Sequence, residues 1–193
     1  AGAISLVAPQ LRVDGRLAAG ATVGARQAAG LDAMPSHGTL AVGAATHFAP
    51  FGSNSYAGAV LRDDFLLAVG GSAPAADGVP SWLWLRPDAG FGQVSVAGDA
   101  DVRLTGDALR LPLQGSLTLL SRFGDLALDA DVAAVAGSVT ARTLGGDVAL
   151  AAGATLDVSG RLVNAWRDGP QAGAAATGGS VALTALDRLS LGE

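Results

Sequence analysis

The chain has 193 residues, of which half are hydrophobic but only 5% aromatic, and 28 residues are Gly. It contains no Cys, which excludes disulfides, Cys-ligated zinc and thiol catalysis. All twelve basic residues are Arg, the net charge is −5 and the pI is about 4.8, so a nucleic-acid partner is not expected, because binding the phosphate backbone needs a basic face.

The N-terminal segment already shows an alternation of apolar and polar residues. The sequence ISLVAPQLRVDGRL, which begins at Ile4, resembles VALAAGATLDVSGRL, which begins at Val148. Alternation with a period of two predicts strands that bury one face. Because the same pattern occurs near both ends, we expect one architecture to run through the whole chain, as a single domain over residues 1–193.

The segment at about residues 34–87 interrupts this alternation. It contains both histidines, together with Trp82 and Trp84. The run VLRDDFLLAVGG fits either a short helix or a strand, whereas WLWLRP alternates as a strand does. We expect this segment to be an insertion that leaves the repeated architecture.

The region that follows repeats a short unit, which is a Gly, a small polar residue and then two apolar residues separated by one position. The 22 residues from Gly115 match the next 22, from Gly137, at eight positions without a gap. A period of this length, with short apolar runs inside it, is typical of a stacked β-solenoid with about three strands in each coil.

The alternation also predicts which side chains point inward. Leu117 and Leu119 should lie beneath Val139 and Ala141 of the next coil. In the same way, two more columns are expected: Leu126 and Leu128 beneath Val148 and Leu150, and a third side lined by Ala154, Leu156 and Val158. A second interruption at about 164–177 is expected to be a loop, because a coil accommodates such insertions readily.

The segment GDVALAAGATLDVSGR, followed by a loop and GGSVAL, resembles the coils of filamentous haemagglutinin-type exoproteins of two-partner secretion systems. The resemblance implies a right-handed parallel β-helix, and that hand also agrees with the usual hand of parallel crossovers. It further implies export through an outer-membrane pore and display on the surface of a Gram-negative bacterium. The Asn-Pro-Asn motifs of the family's secretion domain are absent, and no signal peptide or membrane helix is visible, which favours an internal fragment.

Three polar groups deserve a chemical interpretation. Asp125 and Asp147 occupy one repeat position, where they either bind a cation between coils or, as we favour, cap backbone N–H groups in turns. Asp99, Asp101 and Arg103 resemble the acidic clusters that glycan-cleaving β-helices need, although outward polar residues of a half-buried sheet give the same pattern. His37 and His47 have no third ligand at a suitable spacing, so we predict no metal, cofactor or catalytic site.

Aromatic residues in the two interruptions are the candidate ligand contacts. Trp82 and Trp84 either contact a ligand or form a small satellite core, and we favour the satellite core. For Trp166, which lies beside Arg167, the two interpretations are equally favoured. We therefore expect a structural and adhesive segment of a secreted exoprotein, whose partners are the secretion pore and a host-cell receptor or glycan. A stalk that carries a toxin, and a polysaccharide-active enzyme, are the alternatives.

Overall fold

The computed structural model of the chain describes residues 2–21, 37–43, 61–71, 78–163 and 174–192. Within these residues there is no helix, and the secondary structure consists of short strands. In chain order they are β1 (Ala3–Leu6), β2 (Arg12–Val13), β3 (Gly38–Val42), β4 (Phe65–Val69), β5 (Ser81–Leu85), β6 (Phe91–Gly98), β7 (Val102–Gly106), β8 (Leu109–Arg110), β9 (Ser116–Ser121), β10 (Leu126–Leu128), β11 (Val132–Ala133), β12 (Ser138–Thr143), β13 (Val148–Leu150), β14 (Leu156–Asp157), β15 (Arg161–Val163), β16 (Ala174–Ala176), β17 (Ser180–Thr184) and β18 (Leu189–Leu191).

Three parallel sheets hold nearly all of these strands. Sheet A has the order β1-β3-β6-β9-β12-β17, sheet B has the order β18-β13-β10-β7-β4-β5-β2, and sheet C has the order β14-β11-β8. The chain visits A, B and C in turn, so that β6–β7–β8, β9–β10–β11 and β12–β13–β14 are three successive coils. The protein is therefore all-β with parallel sheets, an arrangement consistent with a β-solenoid.

The register of the strands confirms the predicted spacing and the predicted faces. Ser116 pairs with Ser138, and Leu126 pairs with Val148, which is one 22-residue repeat in each case. In sheet A, Leu117 lies beneath Val139 and Leu119 lies beneath Ala141, and all four side chains are buried. In sheet B, Leu126 and Leu128 lie beneath Val148 and Leu150. On the third side, Leu156 and Val158 pack against the same core. Each coil thus buries the aliphatic side chains of the coil before it.

Three described strands of the range 34–87, where an insertion was predicted, belong to the sheets, whereas residues 34–36, 44–60 and 72–77 lie outside the described residues. β3 continues sheet A, whereas β4 and β5 both lie in sheet B, between β2 and β7. Sheet B therefore has two strands between β2 and β7, whereas sheet A has one strand, β3, between β1 and β6. The run around β4 fitted a helix as well as a strand because all five residues of β4 are buried, and strands covered on both faces need no polar alternation. The predicted strand in WLWLRP is observed as β5, although it belongs to sheet B and not to an insertion.

The ends of the chain differ in detail from the sequence expectation. β1 and β2 do continue sheets A and B, as the N-terminal similarity predicts. However, β1 lies in sheet A, whereas its sequence counterpart β13 lies in sheet B. The similarity does not specify the sheet, because strands of both sheets contain two apolar residues separated by one position. Near the other end, β15 and β16 form an antiparallel pair outside the three parallel sheets, and residues 164–173 between them lie outside the described residues.

Hydroxyl side chains stabilise the corner between sheets A and B. Ser121 Oγ donates to the carbonyl of Ala100 at 2.8 Å and accepts the N–H of Gly124 at 2.9 Å. One coil later, Thr143 Oγ1 donates to the carbonyl of Gly124 at 2.8 Å. Both side chains are fully buried, so these bonds remove the cost of taking a hydroxyl out of water.

Glycine at the start of sheet A is required by the close approach of successive coils. The N–H of Ser138 donates to the carbonyl of Gly115 at 3.0 Å, and the N–H of Ser180 donates to that of Gly137 at 3.0 Å. A Cβ atom placed on Gly137 would overlap the carbonyl oxygen of Gly115, and one placed on Gly179 would overlap that of Gly137. The repeated Gly therefore sets the distance at which coils stack.

Replacing Gly137 by Ala should lower the free energy of unfolding by about 1–3 kcal/mol, because the backbone must shift to admit the methyl group. Gly15→Ala is the matched control, since no atom lies near its Cβ position, and it should change stability by less than about 0.5 kcal/mol. Urea denaturation followed by circular dichroism measures both values. Equal stability of the two variants would contradict the role assigned to the glycine stack.

Leu128 and Leu191 test the apolar columns, because they occupy one column of sheet B at different depths. Leu128 is fully buried, whereas Leu191 in the last coil is 58% exposed. We expect Leu128→Ala to cost about 2–5 kcal/mol of unfolding free energy and Leu191→Ala about 0.5 kcal/mol. Urea denaturation measures both values. A similar loss of unfolding free energy at both positions would contradict the claim that burial by the next coil makes Leu128 the more important residue.

Candidate functional site

The outer face of sheet B carries a second apolar cluster, separate from the interior. It consists of Leu66, Ala68 and Trp84, which are buried, with Val79 and Trp82 packed against them at partial exposure. We call these five residues the tryptophan cluster. Leu66 and Ala68 lie on β4, Trp82 and Trp84 lie on β5, and Val79 lies just before β5, so the pairing of these two strands in sheet B creates the surface on which they meet.

Trp84 lies inside this cluster and Trp82 lies at its margin. Trp84 is 7% exposed, and its Nε1 finds no hydrogen-bond acceptor among the described residues. Trp82 is half-buried, and its Nε1 donates to Asp14 Oδ1 at 2.8 Å. The preferred interpretation of the sequence, a satellite core, agrees with the packing of both indoles, although it does not test ligand binding.

Arg12 and Asp14 complete the margin beside Trp82. The guanidinium carbon of Arg12 lies 4.8 Å from the centre of the Trp82 ring, and Arg12 Nε donates to the carbonyl of Pro80 at 2.9 Å. A guanidinium stacked on an indole stabilises both groups and limits their rotation. An aromatic ring, a cation and a carboxylate are therefore held together at the surface.

The sequence does not identify Arg12 and Asp14 as site residues, although it does indicate which face of the strand they lie on. They alternate with Val13, which places both on one face of β2, the face away from the core. Arg12 pairs with Trp82, 70 positions further on, and no local sequence pattern predicts a pairing over that distance. Trp166 and Arg167, the other candidate contacts, lie outside the described residues.

The acidic positions of the repeat act as acceptors between coils. Asp101 Oδ1 accepts the N–H of Asp125 at 2.8 Å, and Asp125 Oδ1 accepts the N–H of Asp147 at 2.8 Å. This is the capping geometry that we favoured over a cation between the coils. Within the described part of the chain, no group of three or more His, Cys, Asp or Glu is arranged to hold a metal ion.

Two of the residues considered for glycan cleavage have partners of their own in the structure. Asp101 belongs to the chain of acceptors described above, and Arg103 pairs with Asp129, with Nε and Oδ2 2.7 Å apart. His37 Nδ1 lies 3.1 Å from the carbonyl oxygen of Gly90, and His47 lies outside the described residues. The polar side chains that are fully buried in the described ranges are Ser81, Ser121 and Thr143, none of which is charged.

Asp157 has an altered pKa, and the cause is local. Hydrogen bonds from the backbone and then the side chain of Ser159 lower the pKa of Asp157 below its ordinary value. Asp157 is fully exposed, so this shift reflects a turn next to β14 and not a buried catalytic acid. Among the described residues, no helix is long and apolar enough to span a membrane.

Comparison of the chain with protein-family models, with curated proteins and with solved structures gives no match.

Replacing Asp125 by Ala should lower the free energy of unfolding by roughly 1 kcal/mol, because the N–H of Asp147 loses its acceptor. Asp125→Asn keeps a carbonyl oxygen at that position and should unfold close to the wild-type midpoint. Thermal unfolding with and without millimolar calcium distinguishes capping from cation binding. A midpoint that calcium raises in the wild type, but not in Asp125→Asn, would show that the carboxylates bind a cation instead.

Proposed function

We propose that the chain is an internal segment of a secreted, surface-displayed adhesin of the filamentous haemagglutinin type, exported by two-partner secretion, with its coils closed into a right-handed parallel β-helix. The family and the export route rest on the similarity of GDVALAAGATLDVSGR and GGSVAL to coils of that family. The parallel sheets and the 22-residue register support the architecture that the resemblance implies.

The observation that carries the proposal is the continuous stack of aliphatic columns inside the coils. In this role the coils act as a stiff spacer, because each coil is fixed to the next by a parallel ladder and by buried contacts. Folding outside the cell could also draw the following chain through its pore, since each added coil buries further apolar surface. The function needs no reactive group, and we propose no enzymatic activity.

The adhesive contact is assigned to the margin of the tryptophan cluster. Trp82 is held by Asp14 and Arg12, so its half-exposed indole meets a ligand with little further loss of side-chain freedom. The neighbouring guanidinium and carboxylate provide donors and acceptors for hydroxyl groups. A glycan or a glycosylated receptor on a host cell combines these requirements, since sugar rings have apolar faces as well as hydroxyls.

Binding of the purified chain to host cells and to a glycan panel tests this assignment. Trp82→Ala should weaken binding at least about tenfold, which is typical of an aromatic residue at the centre of a contact. The control is Phe123→Ala, because Phe123 is also stacked by an arginine, with the guanidinium carbon of Arg122 4.5 Å from the ring, but lies on another part of the surface. Trp166→Ala tests the other candidate contact.

The outcomes separate three roles. Binding that falls in Trp82→Ala but not in Phe123→Ala, with the β signal in circular dichroism retained, supports the tryptophan margin as the adhesive site. Binding that falls only in Trp166→Ala moves the site to the segment between β15 and β16. Absence of binding by the intact chain contradicts the adhesive role and leaves a spacer.

A further inference from the structure

The strand β5 lies between two strands that both precede it in the chain. Sheet B has the order β7-β4-β5-β2 in this region, so β5 separates β4 from β2. The other described strands of sheets A, B and C follow one another along the stack in chain order. β5 therefore enters a gap whose two sides are formed by earlier parts of the chain, and it interrupts the regular winding of the coils.

The chain is also longer at this point, by the length of one such insertion. Leu67 pairs with Leu104 and Gln93 pairs with Ser116, so these pairs mark equivalent points of two successive coils. Leu67 and Gln93 are 26 positions apart, whereas Leu104 and Ser116 are 12 positions apart. The additional 14 positions equal the length of residues 72–85, which comprise β5 and most of the connection from β4. A chain without them has the spacing of a regular coil.

Just before β5 comes between them, the two neighbouring segments are bonded to each other directly. At the corner that leads into sheet B, the N–H of Arg62 donates to the carbonyl of Pro9 at 2.9 Å, and the N–H of Asp99 donates to the carbonyl of Leu61 at 2.8 Å. The segments that lead into β2, β4 and β7 are thus consecutive at the corner. By Leu66, β5 lies between β4 and β2, so the ladder divides within a few residues.

Ser81 occupies the point at which the ladder divides. Its side chain is fully buried, and its Oγ accepts the N–H of Leu11 at 3.1 Å. The N–H of Trp82 donates to the carbonyl of Leu11 at 2.8 Å, and Arg12 Nε donates to the carbonyl of Pro80 at 2.9 Å. β5 therefore satisfies the polar groups of β2 that β4 would satisfy in a regular coil.

The bond at the corner also specifies a register for β4 on β2. In the parallel pairs of this protein, a donor N–H lies opposite the residue that follows the acceptor carbonyl. Trp82, for example, donates to the carbonyl of Leu11 and lies opposite Arg12. By the same rule, Arg62 lies opposite Gln10.

Continued along both strands, this register joins residues of the same face. It places Phe65 opposite Val13 and Leu66 opposite Asp14. Phe65 and Val13 both pack in the core, whereas Leu66 and Asp14 both lie on the outer face of sheet B. Direct pairing of β4 with β2 is therefore compatible with the inward and outward pattern of both strands.

From these features we infer that sheet B has two closed arrangements. In the first, β5 is inserted as described above; in the second, β5 has left the sheet and β4 pairs directly with β2, as in a regular coil. Trp82 and Trp84 leave the outer face with β5, so the tryptophan cluster exists only in the first arrangement. A molecule that binds the cluster favours that arrangement. The inference concerns the fold and does not depend on the adhesive role.

A charge placed in β5 drives the exchange without changing the length of the chain. Leu83 and Leu104 are both fully buried, and both pair with Leu67, one from each side. Leu83→Asp should expel β5, since a buried unpaired carboxylate is costly, and the remaining coils should keep their β signal in circular dichroism. Leu104→Asp is the matched control: β7 belongs to a regular coil, so this variant should lose most of that signal.

Paired cysteines report which strands are adjacent, because the chain has no other Cys. Asp14→Cys and Leu66→Cys are combined in the otherwise unaltered chain, in Leu83→Asp and in a chain that lacks residues 72–85. With β5 inserted, the two cysteines are two strands apart, about 10 Å, which is too far for a disulfide. Direct pairing brings their Cα atoms to about 5 Å. Oxidation should therefore link them in both altered chains but not in the otherwise unaltered one, as titration of free thiols measures.

The outcomes are decisive for the second arrangement. A disulfide in either altered chain, with its β signal retained, supports the inference. Loss of the fold in both altered chains overturns it, because β5 is then a permanent part of the stack. Cysteines that stay free in a folded altered chain, or that are linked equally well in the otherwise unaltered chain, overturn it as well.

Discussion

The parallel contact between successive coils is the interaction on which the rest of the structure depends. In sheet A it combines a backbone ladder with aliphatic side chains stacked in register, such as Leu117 beneath Val139. Glycine at positions 137 and 179 lets the coils approach closely enough to form both. Because each coil contacts mainly its neighbours, stability accumulates along the stack, and a surface feature can change without altering the core.

This constraint explains where polar groups are placed. An acidic residue repeated at one position of every coil would meet its own copy, yet Asp125 instead accepts the N–H of Asp147 from the next coil. At the corner, Ser121 and Thr143 satisfy the turn carbonyls in the same way. Repetition thereby joins single side chains into continuous ladders of hydrogen bonds, and the outer faces can carry other residues, such as Trp82.

Much of the repeated region was predictable from the sequence, since Leu117, Leu119, Leu126 and Leu128 follow an alternation that only a half-buried strand explains. The run that contains β4 fitted a helix as well as a strand, because burial on both faces removes the polar residues that mark a strand. The alternation of WLWLRP did predict a strand at β5, but not its place in sheet B. The contribution of Arg12 to the candidate site was missed for a different reason. Arg12 meets Trp82 only through the pairing of β2 with β5, and no local pattern connects residues 70 positions apart.

Hydrogen exchange of individual amides tests the coil-stacking account most directly. If each coil is stabilised by the coils on both sides of it, the slowest exchange should occur in β6 and β9, the central strands of sheet A, and exchange should become faster toward β1 at one end and toward β17 and β18 at the other. The measurement is made on the monomer at low protein concentration. Uniform protection along the chain, or faster exchange in the central coils than at the ends, would contradict the claim that coil-to-coil contacts hold the molecule together.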